Sequence, residues 1–321
     1  MTTMAAPRPA CRHETIAIKD LLRSERINKI KDPFPCFYID DFLPENIFTE
    51  IESQARSLAE NSTSIFHGNR RYVLSTSHDF NDFLKESSAW LEFFSKFSSQ
   101  ESFDRLIEIF KEINPEFFQE NFLPHKVKMK KIIHPDNLPL FRKISKYKDL
   151  PLKQCSIKLI SAYLTRYIFR KIQFELKVKA NSLFSTPGQL LADISMANNG
   201  YTREIHRDSD NRMMVFLLYM SPLAEGGDGG ELGAYSLKNH SQGEPFPPQP
   251  SENECVLEQV IQPKRNRFFI FLNSDKSYHG VKVMKGHTSG RLFMYGGFTS
   301  FGKSMLRRSR PLKTAFHMYI T

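Results

Sequence analysis

After Pro187 the chain becomes a succession of short β-prone segments, and this pattern constrains the fold more than any other feature of the sequence. The segments are LLADISMA, MMVFLLYMS, ELGAYSL, CVLEQVI, RFFIFLN, GVKVMK and RLFMYGGF, each set off by Gly, Asn or Pro. Several short strands with turn residues between them are typical of an all-β sandwich or jelly roll. The sequence therefore predicts a β-domain over residues 187–302.

The sequence before this point is mainly helical in pattern. Residues 33–58 read as a strand followed by a helix that Pro44 opens, because Ile47, Ile51 and Leu58 recur at helical spacing. Residues 80–122 supply further amphipathic stretches. The fold class predicted is α+β, with helices that support the β-domain. The predicted parts are a flexible arm, a mainly helical supporting region, the β-domain and a basic tail, over residues 1–30, 31–186, 187–302 and 303–321.

The net charge of +10 is concentrated in one segment. Residues 126–179 contain fifteen Lys and Arg but three acidic residues, so the rest of the chain is close to neutral. A long amphipathic helix is expected over residues 157–184. The basic segment 126–180 has two open interpretations: a solvated helix face, or a patch for an acidic protein, glycan or nucleic acid. Sequence-specific nucleic-acid recognition is disfavoured, because no helix-turn-helix, zinc-finger or RRM signature is present.

Cysteine usage and hydropathy bear on the compartment. The four cysteines are far apart and form no CxxC pair, which argues against a zinc site and a disulfide framework. No apolar run approaches the roughly 18 residues that span a membrane, and the first residues lack the apolar region of a secretory signal. A cytoplasmic protein without membrane contact is expected.

Three residues of the β-domain have the chemistry of a metal site. His206 and Asp208 stand two apart in IHRDSDNR, and side chains two apart on a strand share a face. His279, in SYHG, comes from another predicted strand and completes a set of two imidazoles and one carboxylate. Such a facial triad leaves three metal positions open, as in non-haem iron(II) oxygenases. A closed structural zinc site would use four protein ligands instead.

Arg291 fits beside this triad. GVKVMK and RLFMYGGF flank a turn and are predicted to form a hairpin, which would place Arg291 roughly opposite His279 and facing inward. A buried guanidinium needs a carboxylate partner, which its planar fork binds through two donors. A dicarboxylate cosubstrate bound to the metal at one end would supply that partner from its other end.

The spaced HxD, H and R motif over about residues 187–300 resembles the prolyl-4-hydroxylase-like branch of the iron(II)/2-oxoglutarate-dependent dioxygenases. Residues 229–236, GGELGAYS, and residues 34–44, FPCFYIDDFLP, are also similar to segments of that family. The resemblance implies a double-stranded β-helix (jelly-roll, cupin-like) core. It also implies iron(II) on His206, Asp208 and His279, and the 2-oxoglutarate C5 carboxylate on Arg291. Tyr201 and Tyr219 are candidates for a further hydrogen bond to that carboxylate.

The implied reaction consumes 2-oxoglutarate and O2, releases succinate and CO2, and hydroxylates an amino-acid residue of a protein or a small molecule. Ascorbate is a cofactor expected from the family only. Related halogenases lack the carboxylate that Asp208 supplies, so hydroxylation is favoured. Two alternatives stay open: a nucleic-acid demethylase, which the basic segment alone supports, and a catalytically silent β-domain that binds a partner. Asp210 and Arg212 are expected to form a structural pair or to contact substrate at the rim of the site. His125, His134, His240 and His287 are expected to be surface histidines.

Overall fold

The helices lie in the N-terminal half of the chain. The computed structural model describes residues 17–63, 65–66, 69–72, 83–84, 86–121, 127–129, 186–222, 227–240, 245–287 and 289–300. Its helices are α1 (Ile18–Leu21), α2 (Glu45–Asn61), α3 (Ser88–Phe97), α4 (Gln100–Ile113) and α5 (Pro115–Asn121). None of the helices in this described part combines the length and the apolar character that crossing a bilayer requires.

Local sequence explains where these helices begin. Pro44 immediately precedes α2, whose buried residues include Ile47 and Ile51 at helical spacing. The Ser87 side chain accepts a hydrogen bond from the backbone N–H of Trp90 at the start of α3, and Ser99 caps α4 in the same way. Such caps satisfy a backbone donor that the first helical turn leaves free. The helix predicted after Pro44 and the helices predicted over residues 80–122 are confirmed.

The strands form two sheets. They are β1 (Asn28–Ile30), β2 (Cys36–Ile39), β3 (Ile65–Phe66), β4 (Asn69–Tyr72), β5 (Val127–Met129), β6 (Thr186–Ala197), β7 (Arg203–His206), β8 (Arg212–Tyr219), β9 (Leu232–Leu237), β10 (Cys255–Ile261), β11 (Arg267–Leu272), β12 (Tyr278–Val281) and β13 (Arg291–Ser300). The larger sheet has the order β1-β2-β11-β8-β13-β6-β4-β3, with β5 also paired to β6, and the smaller has the order β10-β9-β12-β7. All pairs except β5–β6 are antiparallel. The predicted α+β, jelly-roll-like architecture is confirmed.

The two faces of the larger sheet have different partners. One face packs against the helices, because the Phe97 ring of α3 lies 5.5 Å from Phe216, 5.2 Å from Phe268 and 5.6 Å from Phe298. Burying such a side chain stabilises a fold by roughly 1.5–3 kcal/mol. The register of β13 and β8 puts Phe293 opposite Tyr219. Because strand residues alternate, Arg291, Phe293 and Tyr219 share the other face, away from the helices.

The N-terminal segment differs from the predicted flexible arm over residues 1–30. Residues 17–30 are described, and they pack against the core, with Ile18, Leu21 and Leu22 buried. The prediction missed this packing because the few apolar residues of this short polar stretch, Ile18, Leu21, Leu22 and Ile27, do not form a recognisable helical or strand pattern. β1 and β2 also join the larger sheet.

Three predictions lie outside the described residues. They are the basic tail over residues 303–321, the amphipathic helix over residues 157–184 and nearly all of the basic segment 126–180.

The hairpin predicted before Arg291 does not form. β12 ends at Val281, well before the predicted end of its strand, and pairs with β7 and β9 in the smaller sheet. β13 pairs with β6 and β8 in the larger sheet. Both edges of each strand are therefore occupied by other partners. The chain crosses from one sheet to the other between Val281 and Arg291 instead of folding back beside itself.

Asn266 joins the β-domain to the loop between β2 and α2 through two hydrogen bonds, and replacing it should destabilise the protein. Its side chain accepts a hydrogen bond from the Leu43 N–H (3.0 Å) and donates one to the Leu43 carbonyl (2.8 Å), while its φ is +58°. We expect Asn266→Ala to lower the free energy of unfolding by about 3 kcal/mol, because both bonds are lost and alanine resists this φ. Asn266→Gly should lose about 1 kcal/mol less of the free energy of unfolding than Asn266→Ala does, because glycine adopts positive φ readily. Urea denaturation of both variants measures this, and equal losses would contradict the contribution of backbone strain.

Candidate active site

The smaller sheet brings His206, Asp208 and His279 together. β7 and β12 pair so that His206 and His279 are directly opposite, and their ring centroids are 4.4 Å apart. Asp208 follows β7 by two residues. One ligand atom from each of the three side chains lies within 4.8 Å of the others. The structure thus assembles the cluster that the sequence predicts from residues more than seventy positions apart.

Backbone carbonyls fix which nitrogen of each imidazole faces the cluster. His206 Nδ1 is 2.8 Å from the Glu204 carbonyl oxygen, and His279 Nδ1 is 3.1 Å from that of Ser277. A carbonyl only accepts, so each Nδ1 carries the proton and each Nε2 keeps its lone pair. The Nε2 of His279 lies 3.5 Å from Asp208 Oδ2. Hydrogen bonds of this kind orient histidine ligands in metal sites.

Both imidazoles are held neutral. Burial lowers the pKa of His206 to about 3, and the repulsion that would arise if His279 were protonated as well adds to the effect. Burial also lowers the pKa of His279, although the Asp208 carboxylate opposes that shift. A metal binds the neutral form of imidazole, so neither residue needs to lose a proton at neutral pH before it can act as a ligand.

Asp208 is buried and uses its two oxygens differently. Oδ1 accepts a hydrogen bond of 2.9 Å from the Tyr295 hydroxyl, and the Arg212 Nη1 lies 3.6 Å from the same oxygen. Oδ2 has no hydrogen-bond partner among the described residues. Burial alone would raise the pKa of Asp208, but the Arg212 charge, the two histidines and the Tyr295 hydroxyl together hold it below the ordinary value. The carboxylate is therefore ionised, with one oxygen available.

Sequence reasoning missed Tyr295 and assigned Arg212 to the wrong partner. The Arg212 guanidinium carbon lies 4.7 Å from the centroid of the Tyr295 ring, and its Nη1 donates to the Tyr295 hydroxyl. Asp210, the expected partner of Arg212, forms an ion pair with Arg207 at 3.1 Å. The position of Tyr295 could have been found from the sequence, because it stands four residues after Arg291 on one strand and so shares its face.

Arg291 is a buried cation without a carboxylate partner. It is 2% exposed, and its Nη1 donates to the Gly230 carbonyl just before β9. In the described part of the chain, no acidic side chain forms an ion pair with it, although the Glu231 carboxylate is near enough to act on its charge, and its Nε has no hydrogen-bond acceptor. Burial lowers the pKa of Arg291, yet a guanidinium stays charged in proteins. An unpaired buried charge is strongly unfavourable, so this position suits a ligand carboxylate.

Two tyrosines stand beside Arg291, as the sequence predicts. The Arg291 guanidinium carbon is 5.6 Å from the Tyr201 ring centroid and 5.9 Å from that of Tyr219. Tyr219 is completely buried, and its hydroxyl has no hydrogen-bond partner among the described residues. Burial raises the pKa of Tyr219 to about 12, so the phenol remains a donor at neutral pH. The Tyr219 hydroxyl and the Arg291 guanidinium together offer donors to a carboxylate.

The glycines of the GGEL segment allow the backbone to reach Arg291. Gly229 has a φ of +76°, and a Cβ there would lie 1.8 Å from the Val283 carbonyl oxygen. Glycine alone fits such a turn without strain. The turn brings the Gly230 carbonyl to the Arg291 guanidinium, so this segment belongs to the site through its backbone.

The prediction that His287 lies on the surface is wrong. His287 is buried rather than on the surface, and its backbone N–H donates to Asn199 Oδ1 at 2.8 Å. His240 stacks on the Phe246 ring with centroids 3.8 Å apart and takes no part in the cluster. His125 and His134 lie outside the described residues. Exposure of a polar loop cannot be judged from composition alone, which is why His287 was misassigned.

The donor set fits iron(II). Two imidazole nitrogens and one carboxylate oxygen converge, the histidines are neutral, and Asp208 Oδ2 lacks another partner. This is the ligand set of non-haem iron(II) oxygenases, whose three remaining positions stay open for cosubstrate and oxygen. Arg291 is a buried positive charge whose Nε has no hydrogen-bond acceptor among the described residues, so it could bind a ligand carboxylate.

Comparison with known proteins gives an independent result. Residues 192–296 match the sequence model of the 2OG-Fe(II) oxygenase superfamily. A search of curated proteins found no match. Three solved structures are similar: a prolyl-4-hydroxylase of Pseudomonas putida (12% identity, 83% of this chain and 94% of that chain covered, TM-score 0.42), a prolyl 4-hydroxylase of Phytophthora capsici (13%, 92% and 69%, 0.44) and a prolyl hydroxylase of Trichoplax adhaerens in complex with a hypoxia inducible factor peptide (13%, 88% and 87%, 0.35).

The family match contains His206, Asp208, His279 and Arg291. It agrees with the cluster of His206, Asp208 and His279 that the smaller sheet brings together. Residues 192–296 thus match the 2OG-Fe(II) oxygenase superfamily model, and this match together with the ligand cluster identifies a 2-oxoglutarate-dependent dioxygenase that uses Fe(II), 2-oxoglutarate and O2.

Proposed function

We propose that this dioxygenase is a hydroxylase that acts on an amino-acid residue of a protein or on a small molecule, with succinate and CO2 as coproducts. The observation that carries the proposal is the retained carboxylate of Asp208, whose Oδ2 has no hydrogen-bond partner within the described residues, beside the two histidines. A carboxylate in this position fills a ligand site that halide would need. Transfer of a hydroxyl group is therefore favoured over halogenation.

Within this proposal, His206 Nε2, Asp208 Oδ2 and His279 Nε2 hold the metal. When bound, the iron couples oxidative decarboxylation of 2-oxoglutarate to oxidation of the substrate. The three protein ligands contribute one negative charge between them, because both imidazoles are neutral. Their backbone hydrogen bonds fix both rings before the metal arrives, so binding requires little rearrangement.

Arg291 and Tyr219 bind and orient the cosubstrate. The guanidinium offers a fork of donors to the distant carboxylate, and the Tyr219 hydroxyl adds one more. Anchoring that end fixes the position of the reacting 2-oxo acid relative to the metal ligands. Because both side chains are buried, water competes poorly for these donors, and the charge interaction is stronger than it would be in bulk solvent.

The substrate group is proposed from motif resemblance. The HxD, H and R spacing and the GGEL segment resemble prolyl-4-hydroxylase-like enzymes, which supports an amino-acid residue ahead of a free small molecule. Comparing hydroxylation of peptide and small-molecule panels by mass spectrometry separates these two substrate classes.

Succinate formation in the absence of the prime substrate tests the proposed chemistry. We expect protein loaded with iron under anaerobic conditions to convert 2-oxoglutarate to succinate when oxygen is admitted, and His206→Ala to form none above background. His240→Ala is the matched control, because this histidine stacks on Phe246 outside the cluster. The Fe(II)·2-oxoglutarate absorbance band gives a second readout. Wild-type protein with neither succinate formation nor this band would contradict the proposal.

A further inference from the structure

The two oxygens of Asp208 have different surroundings, although a free carboxylate is symmetric. Oδ1 is engaged by the Tyr295 hydroxyl at 2.9 Å. Oδ2 lies 3.5 Å from His279 Nε2 and has no hydrogen-bond partner among the residues the structure describes. Because the two oxygens are chemically equivalent, a contact to one of them fixes the rotation of the carboxylate and leaves the other oxygen facing the histidines. Tyr295 makes that contact.

Tyr295 is itself fixed in place. Its strand, β13, is hydrogen-bonded on both edges, with Tyr295 opposite Asp193 of β6 and Leu217 of β8. The Arg212 guanidinium lies over its ring at 4.7 Å and donates to its hydroxyl. A phenol hydroxyl can accept one hydrogen bond and donate another. With Arg212 as its donor, the Tyr295 hydroxyl directs its own proton to Asp208.

The charges around Tyr295 support this direction of donation. Asp193 forms an ion pair with Arg71, and its negative charge also acts on the buried Arg212. Polar side chains on four neighbouring strands therefore contact one another in sequence and lead to Asp208. They are Arg71 on β4, Asp193 on β6, Tyr295 on β13 and Arg212 on β8.

We propose that Tyr295, held by Arg212, is a positioning residue that keeps Oδ1 of Asp208 on its hydroxyl and leaves Oδ2 as the single oxygen presented to the metal. This inference rests on the proposed role of Asp208 as a ligand. A carboxylate that binds through both oxygens would occupy one of the three positions that cosubstrate and oxygen need. Tyr295 thus preserves an open coordination position, although it touches neither metal nor cosubstrate.

The test compares Tyr295→Phe with Tyr38→Phe. Tyr38 is the matched control, because the guanidinium carbon of Arg267 lies 4.3 Å from the centroid of its ring, as Arg212 lies over Tyr295. Tyr38 is on β2, which is three strands from β13 in the larger sheet. Co(II) is the probe, since it binds such sites and its visible spectrum reports the number of ligand atoms. We expect Tyr295→Phe to bind Co(II) about 10- to 100-fold more weakly. Its spectrum at saturation should also change, because Oδ1 is freed.

A double-mutant cycle tests the part that Arg212 plays. If Arg212 acts through Tyr295, Arg212→Gln weakens Co(II) binding less in the Tyr295→Phe protein than in wild type. Equal losses of Co(II) affinity on Arg212→Gln in wild type and in Tyr295→Phe would overturn the claim that Arg212 acts through Tyr295. Wild-type affinity and spectrum in Tyr295→Phe, with binding still abolished by His206→Ala, would overturn the positioning role and leave the proposed function intact. Co(II) binding by wild type that does not depend on His206 would overturn both.

Discussion

Replacement of Asp208 with alanine is expected to lower 2-oxoglutarate turnover by about 10³-fold or more, since removal of an essential catalytic group has effects of at least this size. Asp208 is the one anionic member of the cluster, and the two histidines that remain are neutral. The variant would also leave the Arg212 guanidinium facing the metal position without the carboxylate that now lies 3.6 Å from it. A positive charge there disfavours a metal cation. Initial rates of succinate formation at saturating iron measure the loss.

Asp210→Ala is the control for this experiment. Asp210 lies two residues further along the chain and pairs with Arg207 at 3.1 Å. It has the same charge as Asp208 but lies outside the cluster, so its removal should change turnover by less than about 3-fold, as expected for a weak, partly exposed ion pair. Circular dichroism of both apo variants establishes whether they are folded. A folded Asp208→Ala protein that keeps a tenth of wild-type turnover would show that Asp208 is not a required ligand.

The sequence predicts the elements of the β-domain better than their pairing. Continuous apolar runs bounded by turn residues define strands such as β8 and β13 closely, because composition and turn residues are local properties. The supposed hairpin between GVKVMK and Arg291 failed, because pairing depends on which edges are already occupied. β12 lies between β7 and β9, and β13 lies between β6 and β8. Those neighbours come from distant parts of the chain, and no local pattern identifies them.

The site shows the same division between local and distant information. His206 and Asp208 were predicted as a pair because two positions on a strand share a face; in the structure Asp208 lies in the loop after β7, two residues beyond the end of the strand. His279 and Arg291 were found by residue type and order. The structure places His279 opposite His206, but Arg291 lies on β13 of the larger sheet and not opposite His279. The contacts of Arg212 with Asp208 and Tyr295 were not foreseen, because they join β8, β13 and the loop after β7. Polar contacts between strands depend on the register, which becomes known only from the structure.

Arg291→Ala is expected to raise the KM for 2-oxoglutarate by roughly 10²- to 10³-fold. It would remove one member of a buried ion pair, a change that costs about 3–5 kcal/mol. The kcat at saturating cosubstrate should fall much less, because Arg291 would bind the end of 2-oxoglutarate that does not react. Arg291→Lys should raise KM by only about 10-fold, since lysine retains the charge but not the two-pronged geometry. Steady-state succinate assays over a range of 2-oxoglutarate concentrations measure both parameters.

The apo protein supplies a second readout that separates binding from folding. Because Arg291 has no carboxylate within ion-pair distance in the described part of the chain, its loss should not destabilise the cosubstrate-free protein through a broken ion pair. In contrast, 2-oxoglutarate should raise the Tm of the metal-loaded wild type but not of Arg291→Ala, because a ligand stabilises only a state that binds it. Arg265→Ala is the control, since its carboxylate partners Glu45 and Glu52 are within the protein. An Arg291→Ala protein with wild-type KM and an intact Tm shift would place the cosubstrate carboxylate elsewhere.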